Sequence, residues 1–163
     1  MCKTVFRLLS SLRQVKEAIE PTWPWAANLL SRVLPPEPKI VRPECETVCE
    51  DWVNVEGTGG RPGWVIFVVS WIVRDDRCYI HPEPSSSDSN GIWYGRLGVK
   101  VPAMERRIYA LAVRPNRATT VLELGNIPVK DIPALERALE STKVVYGLSK
   151  PKRLIYKPGK SPC

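Results

Sequence analysis

The sequence has a single histidine, His81, among its 163 residues. A Ser-His-Asp triad or a Cys-His pair uses a histidine as its base, so nucleophilic catalysis of either kind would depend on this residue. His81 stands before Pro82, and nothing near it in the sequence marks an activated nucleophile. The glycine-rich segment 57–63 lacks the Lys-Ser/Thr and the helix of a phosphate-binding loop. We therefore predict a protein that is not an enzyme and that uses no cofactor.

Long apolar runs are also missing. The longest extends from Trp64 to Val73 and contains Ser70, whereas a membrane helix needs about 20 apolar residues. Charges such as Arg7 and Arg13 interrupt the N-terminal segment, so it lacks the apolar core of a secretory signal. These absences predict a cytoplasmic protein.

The cysteines are odd in number. The five cysteines are Cys2, Cys45, Cys49, Cys78 and Cys163. An odd count without a signal peptide favours reduced thiols over a disulfide framework. Cys45, Cys49, Cys78 and His81 could in principle provide the four ligands of a zinc site. For Cys49, a small apolar residue buried in a strand is the better interpretation. We expect no metal.

Basic residues are in excess and unevenly spread. The formal net charge is +7, yet residues 45–113 hold 7 basic and 9 acidic groups, whereas residues 114–163 hold 10 basic and 4 acidic groups. The 16 prolines are roughly twice the typical share of about 5%. Proline at this density disfavours a long helical bundle and suits short strands between turns.

The N-terminal segment predicts helices. Residues 3–19 place apolar side chains at spacings of three and four, which is typical of an amphipathic helix. Pro21 ends this pattern, and Pro24 suits the first turn of a second helix that continues to Leu34. The proline-rich stretch 35–38 then predicts a stiff linker. We assign residues 1–34 to a helical extension.

The remaining chain predicts a β-sandwich followed by a helix. Strands are expected at residues 39–42, 46–56, 64–73, 78–81, 92–99, 106–113 and 120–124. The run from Trp64 to Val73 is too apolar for an exposed face, so we place it centrally. We assign the sandwich to residues 39–126. Residues 127–163 are expected to hold an amphipathic helix, short strands and a basic tail.

A resemblance supports this class. Lys39-Ile40-Val41-Arg42-Pro43, Val53-x-Val55-x-Gly57, Asn90-Gly91-Ile92-Trp93 and the alternating strand 108–113 occur in that order. Residues 39–113 thereby resemble bacterial immunoglobulin-like accessory domains. The resemblance implies a mainly β fold, an immunoglobulin-like antiparallel β-sandwich, and a role in binding or spacing.

Two surfaces are candidate sites. The first is the basic C-terminal segment with Lys150, Lys152, Arg153, Tyr156, Lys157 and Lys160. Basic groups interleaved with aromatics can engage nucleic-acid phosphates and bases, or lipid headgroups. A solvated tail without a ligand is the competing interpretation.

The second candidate is the N-terminal extension. Its residues are Leu8, Leu12, Val15, Trp23 and Trp25. Such a surface can lie in an anionic membrane interface, dock on a partner protein, or fold back over the sandwich. We predict a non-catalytic binding or adaptor module with a protein partner, and keep nucleic-acid binding and peripheral membrane binding as alternatives.

Overall fold

The structure is a computed structural model that describes residues 2–99, 105–126 and 129–157; for residues 2–10, Asn28 and Ser31 it describes the backbone alone. Strand residues outnumber α-helical ones among the described elements, so the fold is mainly β. The helices are α1 (Cys2–Ile19), α2 (Pro24–Val33), α3 (Ala118–Gly125) and α4 (Ile132–Ser141). The strands are β1 (Lys39–Arg42), β2 (Thr47–Val48), β3 (Trp52–Thr58), β4 (Val65–Ile72), β5 (Arg77–Ile80), β6 (Ser85–Ser86), β7 (Trp93–Gly98), β8 (Glu105–Val113), β9 (Tyr146–Leu148) and β10 (Lys152–Tyr156).

The central sheet is built around the antiparallel pair β4 and β8. Its order is β2-β10-β8-β4-β5, with β6 paired to β4 and β9 paired to β8. The β4–β8 register extends from Val65 opposite Val113 to Ile72 opposite Arg106. Strand β10 lies antiparallel to β8 and parallel to β2, so the sheet is mixed.

Strand β4 is apolar on both sides because both faces of the central sheet are covered. Ile66 and Val68 join one apolar cluster with residues of the small sheet β1-β3-β7. Phe67 and Val69 point the other way and join a second cluster. Alternate residues of a strand face opposite sides of the sheet, so two cores remove the usual polar alternation.

The small sheet packs closely on the central one. Trp93 of β7 is fully buried at this interface. A Cβ atom at Gly57 would overlap the Trp93 ring and the carbonyl oxygen of Lys39. Glycine at position 57 is therefore what allows β3 to pass beside the indole.

Helices α3 and α4 cover the other face of the central sheet. Val121 and Leu124 of α3, and Leu135 and Leu139 of α4, are buried in the second apolar cluster. The prediction of a strand at residues 120–124 is therefore wrong. Val121 and Leu124 are three residues apart, which suits one face of a helix as well as a short apolar strand.

The segments on either side of the predicted sandwich form regular structure. Helices α1 and α2 correspond to predicted helices at residues 3–19 and from Pro24 to Leu34, and they pack on each other. The predicted strand at residues 46–56 is two strands, β2 and β3. Strands β9 and β10, which follow residue 126, pair within the central sheet.

Candidate functional site

Two members of the predicted basic set, Arg153 and Tyr156 of β10, are hydrogen-bonded to carboxylates of the protein itself. Arg153 donates hydrogen bonds to the carboxylates of Glu46 and Glu105 at 3.3 and 3.0 Å. Tyr156 is buried, and its hydroxyl donates to Asp51 at 2.7 Å. These bonds raise the pKa of Arg153 and of Tyr156, and the bond to Arg153 lowers the pKa of Glu105. Arg153 and Tyr156, both predicted to bind a ligand, are thus engaged in hydrogen bonds that stabilise the fold.

Two of the predicted lysines lie in a groove. Lys150 and Lys152 line it together with Arg13, Glu37 and Lys39, and its volume is about 710 Å³. Arg13 forms an ion pair with Glu37, which offsets one positive charge. We name these five residues the basic groove. Its net charge is positive because three lysines remain beside the ion pair.

The other two residues of the predicted basic set add little to the groove. Lys157 is exposed just after β10. Lys160 lies outside the residues that the structure describes. The three groove residues from the N-terminal half, Arg13, Glu37 and Lys39, were not predicted, because the sequence does not indicate which distant segments meet at Lys150.

The second predicted surface, on the helices, is apolar and exposed. Trp25, Leu29 and Val33 of α2 expose 68%, 54% and 62% of their surface. They are four residues apart, so they lie along one side of the helix. Trp23, just before the helix, is 57% exposed. We name Trp23, Trp25, Leu29 and Val33 the α2 ridge.

The predicted residues of α1 contribute less to this surface. Val15 is exposed, whereas Leu12 is half-buried. The side chain of Leu8 lies outside the description. Leu29 and Val33 were absent from the predicted set, although their spacing from Trp25 is a signal that identifies them.

The opposite side of α2 is held against the body of the protein. Ala27 and Leu34 are buried there. The guanidinium of Arg61 donates to the carbonyl oxygens of Arg32 and Leu34 at 2.9 and 2.7 Å. A cation that bonds the free carbonyls at the end of a helix stabilises that end. The α2 ridge therefore sits on an anchored helix.

The cysteines do not form the zinc site drawn from the sequence. Cys45 is disulfide-bonded, which corrects the expectation of reduced thiols, whereas Cys49 and Cys78 are free. Cys78 and His81 are three residues apart at β5, so their side chains face opposite sides of the sheet. Among the described side chains, no three potential metal ligands are grouped.

His81 lies beside Ser70. The Ser70 hydroxyl and Nε2 of His81 are 3.0 Å apart, and Ser70 is fully buried. Burial, with a contribution from Arg106, lowers the pKa of His81 to about 4. No carboxylate of the described residues forms an ion pair or hydrogen bond with the ring. The pair therefore lacks the acidic member of a triad.

Searches against protein-family models and against curated proteins find no match for this chain. None of the described helices has the length and apolar character needed to cross a bilayer.

Proposed function

We propose that this protein is a non-catalytic binding module that docks on a partner protein through the α2 ridge. The observation that carries the proposal is the exposure of Trp25, Leu29 and Val33 on one side of an anchored helix. Contiguous exposed apolar side chains mark interaction surfaces in folded proteins. Tryptophan in particular is enriched among the residues that dominate binding energy.

The spacing of the α2 ridge suits a grooved partner. Helices that bind in apolar grooves present anchors at intervals of three and four residues along one face. Trp25, Leu29 and Val33 have this spacing over two turns of α2. The partner is therefore a protein with an apolar groove about two helical turns long.

The charge around the α2 ridge favours a protein partner over an anionic membrane. Residues 1–34 hold five basic and two acidic side chains, but Arg32 is the one basic residue between Trp23 and Leu34, and Arg13 is paired with Glu37. Recognition of anionic lipids relies on clusters of about four to eight basic residues. Glu17 and Glu20 lie near Trp23 in the sequence and oppose contact with anionic headgroups.

Nucleic-acid binding is the weaker alternative. Arg153 and Tyr156 are engaged in hydrogen bonds within the protein, so Lys150, Lys152 and Lys157 are the described members of the predicted set that remain for a polyanion. Phosphate binding increases with the number of cations that contact the backbone. The few cations that remain support a smaller contribution than the six-residue set predicts.

We further propose that residues 39–113 are a variant of the immunoglobulin-like sandwich. The packing of the sheet β1-β3-β7 on β4 and β8 supports this assignment. In this arrangement the sandwich is the scaffold, and the α1–α2 extension carries the binding surface.

The function is tested by photo-crosslinking from the α2 ridge. In cells that make the protein, a benzophenone amino acid in place of Leu29 is expected to crosslink to one identifiable protein. The same group in place of Tyr94 is expected to give no such crosslink. Tyr94 is a matched control because it is exposed to a similar extent, 61%, and lies on β7. With the purified partner, Trp25→Glu should weaken binding by at least about 30-fold, the effect of losing a hot-spot contact. Tyr94→Glu should leave the affinity unchanged.

Four results contradict the proposal. Equal crosslinking from both positions indicates non-specific contact, and an unchanged affinity of the Trp25 variant removes the α2 ridge from the interface. Co-sedimentation with phosphatidylserine vesicles that is lost in Trp25→Glu assigns the surface to a membrane. Self-association of the wild-type chain, measured by sedimentation equilibrium, is the fourth contrary result if a second copy covers the α2 ridge.

A further inference from the structure

Arg106 of β8 is a buried arginine that is only partly hydrogen-bonded. Only 6% of its surface is exposed. Its Nη1 donates to the carbonyl oxygen of Gly98 at 3.0 Å, whereas its buried Nε–H has no partner. Nη2 makes no hydrogen bond to a described residue. In a guanidinium, Nε–H and Nη2–H lie side by side along one edge, so a whole edge is unpartnered while the group is fixed through Nη1.

No acidic residue neutralises this arginine. All 17 Asp and Glu residues of the chain are among the described residues. The ion pairs of these residues involve other cations, namely Arg13, Arg42, Lys130 and Arg153. A buried charge without a counter-charge is costly, and an unmade hydrogen bond in its shell adds to that cost. Burial accordingly lowers the pKa of Arg106.

Two polar side chains share the surroundings of Arg106. Ile72 lies directly opposite Arg106 in the β4–β8 register, and directly opposed residues share a face. Ser70, two residues earlier on β4, is therefore on the same face. The Ser70 hydroxyl contacts His81, and the positive charge of Arg106 contributes to the lowered pKa of that histidine. The Arg106 cation thus lies on the same face of the central sheet as the Ser70 hydroxyl and acts electrostatically on the His81 imidazole.

We propose that Arg106, which shares a face of the central sheet with Ser70, is the binding site for the carboxylate or phosphate group of a small ligand. The Nε and Nη2 edge presents two parallel N–H groups, which match two oxygens of such a group in a bidentate pair. The bound anion supplies the missing counter-charge. The site is separate from the α2 ridge and does not depend on the function proposed for that surface.

The single histidine makes this site observable. Because His81 gives the one imidazole signal of the chain, its NMR resonance can be assigned without ambiguity. We expect sodium phosphate or sodium acetate to shift this resonance saturably, whereas sodium chloride at equal ionic strength does not. The bound anion offsets the positive charge of Arg106, so the pKa of His81 should rise from about 4.

Variants separate specific binding from general salt effects. Arg106→Lys keeps the positive charge but loses the two-pronged edge, so binding should weaken by at least about tenfold. Arg107→Gln is the matched control because Arg107 is the next residue of β8, is exposed and faces the other side of the sheet. This control should bind phosphate or acetate as the wild-type chain does.

The response to the two anions defines the ligand. A saturable response to phosphate alone indicates a phosphate-bearing ligand, and a response to acetate alone indicates a carboxylate. If neither anion gives a saturable shift, water alone solvates the edge and the proposal is overturned. Equal effects of the Arg106 and Arg107 variants also overturn it, because they indicate non-specific screening.

Discussion

Helices α2 and α4 have the same length, but the apolar stripe of α2 is exposed and that of α4 is buried. Each has 10 residues, and each has a proline in its first turn. On α4, Leu135 and Leu139 are four residues apart and fully buried. On α2, Leu29 and Val33 have the same spacing and are exposed. An amphipathic stripe therefore predicts a helix but not what covers the stripe.

The N-termini of the two helices also differ, because α4 has a side-chain cap and α2 has none. Asp131 caps the N-terminus of α4, where its carboxylate accepts a hydrogen bond from the backbone N–H of Ala134 at 2.8 Å. Trp23 occupies the corresponding position of α2 and makes no side-chain cap. Helix α4 is thus specified by its own sequence and by the core. Helix α2 lacks such a cap, is bonded to Arg61 at its C-terminal end, and leaves Trp25, Leu29 and Val33 exposed.

The largest expected effect separates the two apolar stripes. Leu135→Ala should lower the free energy of unfolding by about 2–5 kcal/mol, because it leaves a cavity under α4. Leu29→Ala removes an exposed side chain and should change that free energy by less than about 0.5 kcal/mol. Urea unfolding of both variants measures the difference. A loss of similar size in Leu29→Ala would mean that the α2 ridge is packed in the free protein.

A smaller effect is expected at the cap of α4. Asp131→Ala should lower the free energy of unfolding by about 1 kcal/mol, since the backbone N–H of Ala134 loses its partner. Asp131→Asn keeps an oxygen that can accept this bond, so it is the control and should stay close to wild type. If both variants lose the same amount, the negative charge rather than the cap stabilises this helix end.

The smallest expected effect concerns the anchor of α2. Arg61→Gln removes the bonds to the carbonyl oxygens of Arg32 and Leu34, so backbone amides of α2 should exchange with solvent about two- to threefold faster, while those of α4 do not change. Arg114→Gln is the control because Arg114 also lies over the Trp64 ring, at 5.8 Å against 5.7 Å for Arg61, without a hydrogen bond to α2. Faster α2 exchange in both variants would assign the anchoring to Trp64.

Much of the β structure can be predicted from local patterns. The apolar run from Trp64 to Val73 predicts a central strand, and β4 has β8 on one side and β5 and β6 on the other. The pairing of β10 with β2 and β8 cannot be predicted in this way. Strand alternation fixes which face a residue occupies, but the choice of partner depends on contacts across the whole chain.

The candidate surfaces follow the same division. The spacing of Leu29 and Val33 from Trp25 predicts one stripe on α2, but only the packing of the helix shows that this stripe lies outside the core. Arg153 and Tyr156 belong to a segment whose basic and aromatic residues are typical of phosphate binding. Their partners Glu46, Glu105 and Asp51 come from distant segments, so the sequence does not indicate that they are engaged.

The position of β10 has a consequence for the protein during its synthesis. Strand β10 lies between β2 and β8, and Arg153 bridges Glu46 and Glu105 across that gap. On the ribosome, β2 emerges about 100 residues, and the first half of β8 more than 40 residues, before the strand that joins them. Until residues 152–156 leave the exit tunnel, both strands present unpaired edges, which attract chaperones and neighbouring chains. Of the strands that the structure describes, β10 is therefore the last to join the sheet.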